Sequence, residues 1–405
     1  MSGDVLNSGT IAGRQLVQID AARDISHSGK ITTQGTAALS AGRDIAIAGG
    51  EIAAKDAIVL DAGRDLNIAS TTRTTTTTTS NGAGTSTYER TGIDRQAKLY
   101  VSGEAGVILA QAGRDITLTA ADIRNEGSGP TAFVAGRDLN MDTVRTSASD
   151  DVHWNENHRQ RTARSEETGT RIAAGGDVHL QAGQHLVARA VDIQAQGDIH
   201  AKAAGLLLID AGERALQVDE HHHTENKDLF SSKSVTTDLR IDASEAQRSR
   251  LQGRNVILDG GATFVVGADI EAREDIHIRG ATVAQLHAAQ DTYSRELEVH
   301  VRRKLGVNDG DVHQSKTEIN ELTLRSQAHG TSLKAGNAIR VSAPDRIELQ
   351  GARLEAPDIY FAGGEGEGAH LAARDQRAAG GQVARSGCEV DARHPGFLGP
   401  SIGQG

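Results

Sequence analysis

The 405-residue chain carries 54 Asp and Glu against 43 Lys and Arg, a formal net charge of -11, with 46 Gly, 5 Pro and 1 Cys. One Trp, four Tyr and five Phe cannot anchor ordinary compact cores, and the acidic balance offers no concentrated basic surface for nucleic acid. Cys388 has no partner for an intrachain disulfide, and the longest aliphatic run, Leu206 to Ile209, is far short of the roughly 20 residues of a membrane-spanning helix.

The chain starts Met1-Ser2-Gly3-Asp4-Val5, with neither a basic n-region nor an apolar h-region, so no signal peptide is read. The expectation is a chain that is not exported or a piece of a longer one. Repeats then decide the fold class. Ala21-Ala22-Arg23-Asp24-Ile25 returns as Ala41-Gly42-Arg43-Asp44-Ile45, Ala62-Gly63-Arg64-Asp65-Leu66, Ala112-Gly113-Arg114-Asp115-Ile116 and Ala135-Gly136-Arg137-Asp138-Leu139. The first Asp positions step by 20 and 21, and the pairs Asp177/Asp198, Asn255/Asp275 and Asn337/Asp358 keep that step as decayed copies. Around each copy apolar residues alternate, as in Ile58 and Leu60, Leu66 and Ile68, Ile116 and Leu118. Period two over short runs punctuated by Gly and Asp predicts short strands, so each repeat is one coil of an all-β solenoid of about 20 to 21 residues.

Within the motif, Gly42, Gly63, Gly113 and Gly136 are free to take a positive φ at a corner. Asp44, Asp65, Asp115 and Asp138 are expected to close Asx-type turns with their own backbone, and Arg43, Arg64, Arg114 and Arg137 to offset the stacked carboxylates. The motif is a folding signal.

Four insertions interrupt the register, near 71–96, 145–170, 219–249 and 292–330, starting nearly 75 residues apart. This predicts a superperiod of three to four coils plus one insertion. In the first, Thr74 to Thr79 and Thr85 to Arg90 flank Ser80-Asn81-Gly82-Ala83-Gly84. In the fourth, Glu296 to Val301 alternate before Val307-Asn308-Asp309-Gly310, and Thr317, Ile319, Leu322 and Leu324 return. Both read as β-hairpins leaving the stack at intervals. The β-helix is assigned to 1–363, on the order of 12 coils once insertions are removed, and the Gly/Ala/Arg-rich tail 364–405 is expected to be disordered or a linker.

Two insertions gather cations, His158, Arg159, Arg161 and Arg164 on the second, and Arg302, Arg303 and Lys304 on the fourth. Arg pairs bidentately with sulfate or phosphate oxygens, so both are candidate sites for anionic glycans. The competing account is a solvated hairpin whose charges, with Glu166, Glu167 and Glu296 nearby, guard an exposed edge. Trp154 either stacks on a sugar face or pins the hairpin base. His221-His222-His223 sends alternate side chains to opposite faces, so no metal site is assigned there, and no cofactor is called for. Arg-Gly-Asp does not occur. Enzymatic β-helices work with carboxylates gathered in a groove, whereas these Asp residues sit at repeated turns, so a lyase or hydrolase is not the reading.

The Ala-Gly-Arg-Asp-(Ile/Leu) element, with Ala69-Ser70-Thr71-Thr72 leading into a threonine-rich excursion, resembles the haemagglutinin-repeat region of filamentous haemagglutinins, over roughly residues 4 to 362. These are large exoproteins of Gram-negative two-partner secretion systems, a group that includes contact-dependent growth inhibition exoproteins. The resemblance implies a right-handed parallel β-helix at the bacterial surface, exported through an outer-membrane partner. It further implies adhesion to host-cell glycans or receptors, or a filament holding a toxin away from the cell. The sequence shows no secretion domain or toxin domain of that family's pattern.

Overall fold

A computed structural model describes residues 3–82, 84–229, 231–306 and 312–363; the tail 364–405 and the tip residues Ala83 and 307–310 lie outside these. Among the described residues there is no helix. The repeat folds as a parallel β-helix whose coil has three short strands, such as Ile25–His27, Lys30–Thr33 and Thr36–Ala41. Each strand pairs in parallel with its counterpart one coil on, so like stacks on like: Ile25 with Ile45, Ile45 with Leu66, Leu66 with Ile116. One face is an eleven-stranded sheet with a strand from every coil, giving eleven coils among the described residues and a rod of roughly 50 Å. The other two faces merge into a nineteen-stranded sheet, because Ile199–Asp210, Val256–Val266 and Asp275–His287 turn a corner without a break.

The scarcity of aromatics follows from this geometry. A tube only a few side chains wide is filled by columns of Ile, Leu, Val and Ala, such as Ile31, Ile52, Leu99, Ile123, Ile172 and Ile193, each fully buried. Among the described residues Phe133 is the one fully buried Phe, Tyr or Trp, and its coil neighbour Ala110 gives it room.

At the corner leading into the eleven-stranded face, the coils alternate between two solutions. In one set a single left-handed residue makes the turn: Gly49, Ala120, Ala190, Gly267 and Gly351, with φ between 47 and 67°. In the coils between them the chain leaves as a hairpin, with arms Thr71–Asn81 and Gly84–Arg95, Val144–Asn155 and His158–Thr168, Gly212–Asp228 and Ser231–Gln247, and Ala289–Gly306 and Val312–His329. The two solutions crowd each other, since a Cβ at Gly267 would stand 2.4 Å from the Ala289 Cβ at the base of the fourth hairpin.

The superperiod is therefore two coils plus one hairpin, not three to four coils. Hairpin arms share the two-residue alternation of coil strands, so Gly212–Val218 reads as coil although it already belongs to the third hairpin. Two coils rise about 9.6 Å, which is the width of two strands at about 4.8 Å each. Successive hairpins thus abut and hydrogen-bond. Thr85–Thr91 pair with Ser147–His153, His158–Glu166 with Arg214–His222, and Ser231–Ser244 with Thr292–Leu305. Instead of separate projections they form one eight-stranded antiparallel sheet beside the rod.

Each hairpin base interrupts the coil ladder, and one buried hydroxyl repairs it, just before the first hairpin leaves and just after the other three return. Ser70 Oγ donates to Ala120 O (2.6 Å) and accepts from Ala97 N, and Thr170 Oγ1 donates to Leu118 O and accepts from Ala121 N. Ser249 Oγ bridges Asp210 O and Val191 N, and Thr331 Oγ1 bridges His287 O (2.7 Å) and Ala268 N. All four residues are buried.

Candidate interaction surface on the hairpin sheet

The Gly-Arg-Asp motif works between coils rather than within one turn. Arg64 Nε donates to Asp44 Oδ1 at 2.8 Å and its Nη2 to Oδ2, while Asp65 N donates to the same Asp44 Oδ1. Arg43 does the same to Asp24, Arg114 to Asp65, and Arg137 to Asp115. The expected self-closing Asx turn is corrected to a carboxylate held by the following coil. The expected positive φ at Gly42, Gly63, Gly113 and Gly136 is also absent. Glycine is required there because a Cβ would stand 2.2 to 2.4 Å from a carbonyl oxygen of the previous coil.

This ladder ends at Asp138, which accepts from His185 N. The later Asp and Asn positions occupy a different corner, at the start of the strands Val178–Ala182, Ile199–Asp210 and Val256–Val266. They are a second ladder, in which Arg254 grips Asp198 with two bonds of 2.8 Å, Asn255 accepts from Asp275 N, and Asn337 reaches Asp275. The coil step is the same at every corner, so spacing cannot tell the two ladders apart.

The neighbouring guanidinium holds Asp24, Asp44 and Asp115 below the usual carboxylate range, and Arg254 with Asn255 brings Asp198 from 3.8 down to about 2. A depressed folded-state pKa stabilises above the unfolded value, and the contribution is lost as pH falls through the folded one. Stability to chemical denaturant is thus expected to hold above pH 5 and drop between about pH 4 and pH 2. Asp198→Asn should remove roughly 1–2 kcal/mol at neutral pH and flatten its share of that drop. A variant with an unchanged acid limb would refute the charge assignment.

The eight-stranded sheet stands away from the coil core, and none of its described residues between the hairpin bases is fully buried. It divides the candidate cations into two unlike places. Arg159, Arg161 and Arg164 lie mid-sheet, where Asp219 is near the first, Asp151 and Asp219 face the second, and apolar residues flank the third. Arg159 is 3.9 Å from Asp219, Arg161 stands in register between Asp151 and Asp219, and Arg164 lies between Ala148 and Leu216 in a shallow groove with Glu166, Arg214 and Glu245. Arg302, Arg303 and Lys304 lie farther out. The arms of the third and fourth hairpins have 17 and 18 residues against 11 and 12 in the first two, so their outer part is only four strands wide. There Arg303 is flanked by Lys233 and Arg302 by Lys316. Arg302, Arg303, Lys304 and Lys233 are exposed and form no ion pair among the described residues, whereas Lys316 is bound to Glu318. Sequence reasoning missed Lys233 because only cross-strand register brings it to Arg303.

Trp154 is half exposed at the tip of the second hairpin, which overturns a role at its base, and its ring lies 6.2 Å from that of His222. The His triplet splits as strand geometry requires. His221 Nδ1 contacts Asp238 at 2.5 Å and His223 Nδ1 contacts Thr236, while His222 Nδ1 lies 3.3 Å from His158 Nδ1 of the neighbouring hairpin. Among the described residues no group of three or more His, Cys, Asp or Glu is arranged to hold a metal ion, and no helix is long and apolar enough to cross a membrane.

A profile of the hemagglutinin repeat matches residues 12–85, 153–239 and 230–365, coils and hairpins together. The chain belongs to the hemagglutinin-repeat family. It is similar to a "Deoxyribonuclease CdiA" of Dickeya dadantii (strain 3937), 27% identical over 90% of this chain and 11% of the relative. It is also similar to a "tRNA nuclease CdiA" of Escherichia coli (strain STEC_O31), 26% identical over 62% of this chain and 8% of the relative. The chain thus spans about a tenth of the length of these curated relatives. No solved structure matches it. Hemagglutinin repeats are structural, and in this chain they form a filament segment of the exoprotein type, consistent with secretion to the cell surface.

Proposed function

We propose that this hemagglutinin-repeat segment is a stiff stalk of a surface exoprotein whose outer hairpin tip attaches to anionic glycans of a host or target cell. The unpaired cations Arg302, Arg303, Lys304 and Lys233 on the four-stranded extension carry this reading. They project beyond the mixed-charge part of the sheet, and a guanidinium there offers its donor fork to sulfate or phosphate oxygens. A second reading, a toxin-delivery filament, is favoured by the nuclease names of the two relatives. In either case the full-length protein is exported through an outer-membrane two-partner transporter, and this segment supplies length and stiffness rather than catalysis.

Binding to immobilised heparin tests the tip. Changing Arg302, Arg303, Lys304 and Lys233 to Ser together is expected to weaken binding roughly tenfold or more, about 1.4 kcal/mol, and to reduce its salt dependence. Changing Arg159 and Arg161 to Ser should have little effect, because Asp151 and Asp219 already screen them. Equal binding by the tip variant would leave the segment a spacer.

A further inference from the structure

We propose that His158 and His222 together bind a zinc ion that ties the second hairpin to the third, with water completing its coordination shell. His222 is the member of the triplet left over when His221 turns to Asp238 and His223 to Thr236. Alternation sends it to the opposite sheet face, where register sets it directly across from His158. The two Nδ1 atoms are 3.3 Å apart and the ring centroids 5.5 Å.

Without a metal, two neutral imidazoles at this distance share one proton in an N–H···N bond. Zinc–nitrogen bonds of about 2.0–2.1 Å at a tetrahedral angle place two ligand nitrogens about 3.3–3.4 Å apart, so both lone pairs can meet one ion with little movement of either strand. Imidazole ligands without carboxylates suit zinc rather than magnesium or calcium. One row nearer the base, on the same face, Glu220 is fixed by Gln160 Nε2 at 2.7 Å and adds negative potential. The site lies at the step where the second hairpin ends and the third continues, so water reaches the remaining positions. Trp154 borders it on one side.

Calorimetric titration of the full chain with zinc chloride near neutral pH tests this. One zinc per chain is expected to bind. His158→Gln and His222→Gln should each weaken binding at least about tenfold, while His221→Gln and His223→Gln leave it unchanged. Glutamine retains a cross-hairpin hydrogen bond, and a parental melting curve for each variant separates loss of the ion from loss of fold. No heat with zinc up to about 1 mM, where binding would be worth only about 4 kcal/mol, would overturn the proposal. Undiminished binding by His158→Gln, or equal loss in His221→Gln, would do the same.

Discussion

Deleting Ile116–Asp138, one coil without a hairpin, is expected to abolish cooperative folding, whereas deleting Ile116–His185, two coils with the second hairpin, leaves a shorter protein that still melts in one transition. Both deletions rebuild the same corner, joining Asp115 to Leu139 in one case and to Leu186 in the other, and both remove whole coils. They differ in what they do to the sheet. In the intact chain, hairpins leave every second coil, and two coils at about 4.8 Å match the two strands of a hairpin. Removing one coil brings the first two hairpins to within about 4.8 Å, where four arms compete for the width of three. The pairing of Thr85–Thr91 with Ser147–His153 then cannot form in register. Removing two coils keeps the spacing and presents the first hairpin to the third. Circular dichroism melts and limited proteolysis of the hairpins distinguish the outcomes. A one-coil deletion that melts like the parent, with protected hairpins, would refute coupling of rod and sheet.

Thr331→Val is expected to cost about 1–3 kcal/mol, although it keeps side-chain shape and adds no charge. The Thr331 hydroxyl donates to His287 O and accepts from Ala268 N in a fully buried corner, so valine takes away the amide's bond to the hydroxyl and leaves His287 O with Gly267 N as its remaining donor; an unsatisfied buried amide costs about 1–3 kcal/mol. Thr331→Ser should recover most of the loss. Thr170→Val and Ser249→Ala should behave alike, because each hydroxyl bridges a carbonyl and an amide where a hairpin returns to its coil. Contacts in a solenoid run between neighbouring coils, so hydrogen exchange should speed up first in the coils flanking the substitution. Stability within about 0.5 kcal/mol of the parent would mean that water serves the corner equally well.

Much of the candidate surface was open to sequence reasoning only in part. Arg302, Arg303 and Lys304 are adjacent in the chain and easily seen as a cluster, but alternation puts Arg302 and Lys304 on one sheet face and Arg303 on the other, beside Lys233 of another hairpin. Arg159 and Arg161 look equivalent to them in sequence, and only the nearby Asp151 and Asp219 make them different. His222 and His158 are likewise distant in sequence and adjacent in space.

The sequence by itself determined the coil. A step of 20 to 21 residues, alternating Ile and Leu, and Gly-Arg-Asp corners leave a stacked β-solenoid as the way to bury so thin a core, because these are local patterns that each repeat restates. Tertiary structure alone decided which corner each Asp occupies, where hairpins replace left-handed turns, and that the hairpins form one sheet. Those outcomes depend on the rise per coil matching the width of a hairpin and on register between strands tens of residues apart. A two-residue period carries no mark of either.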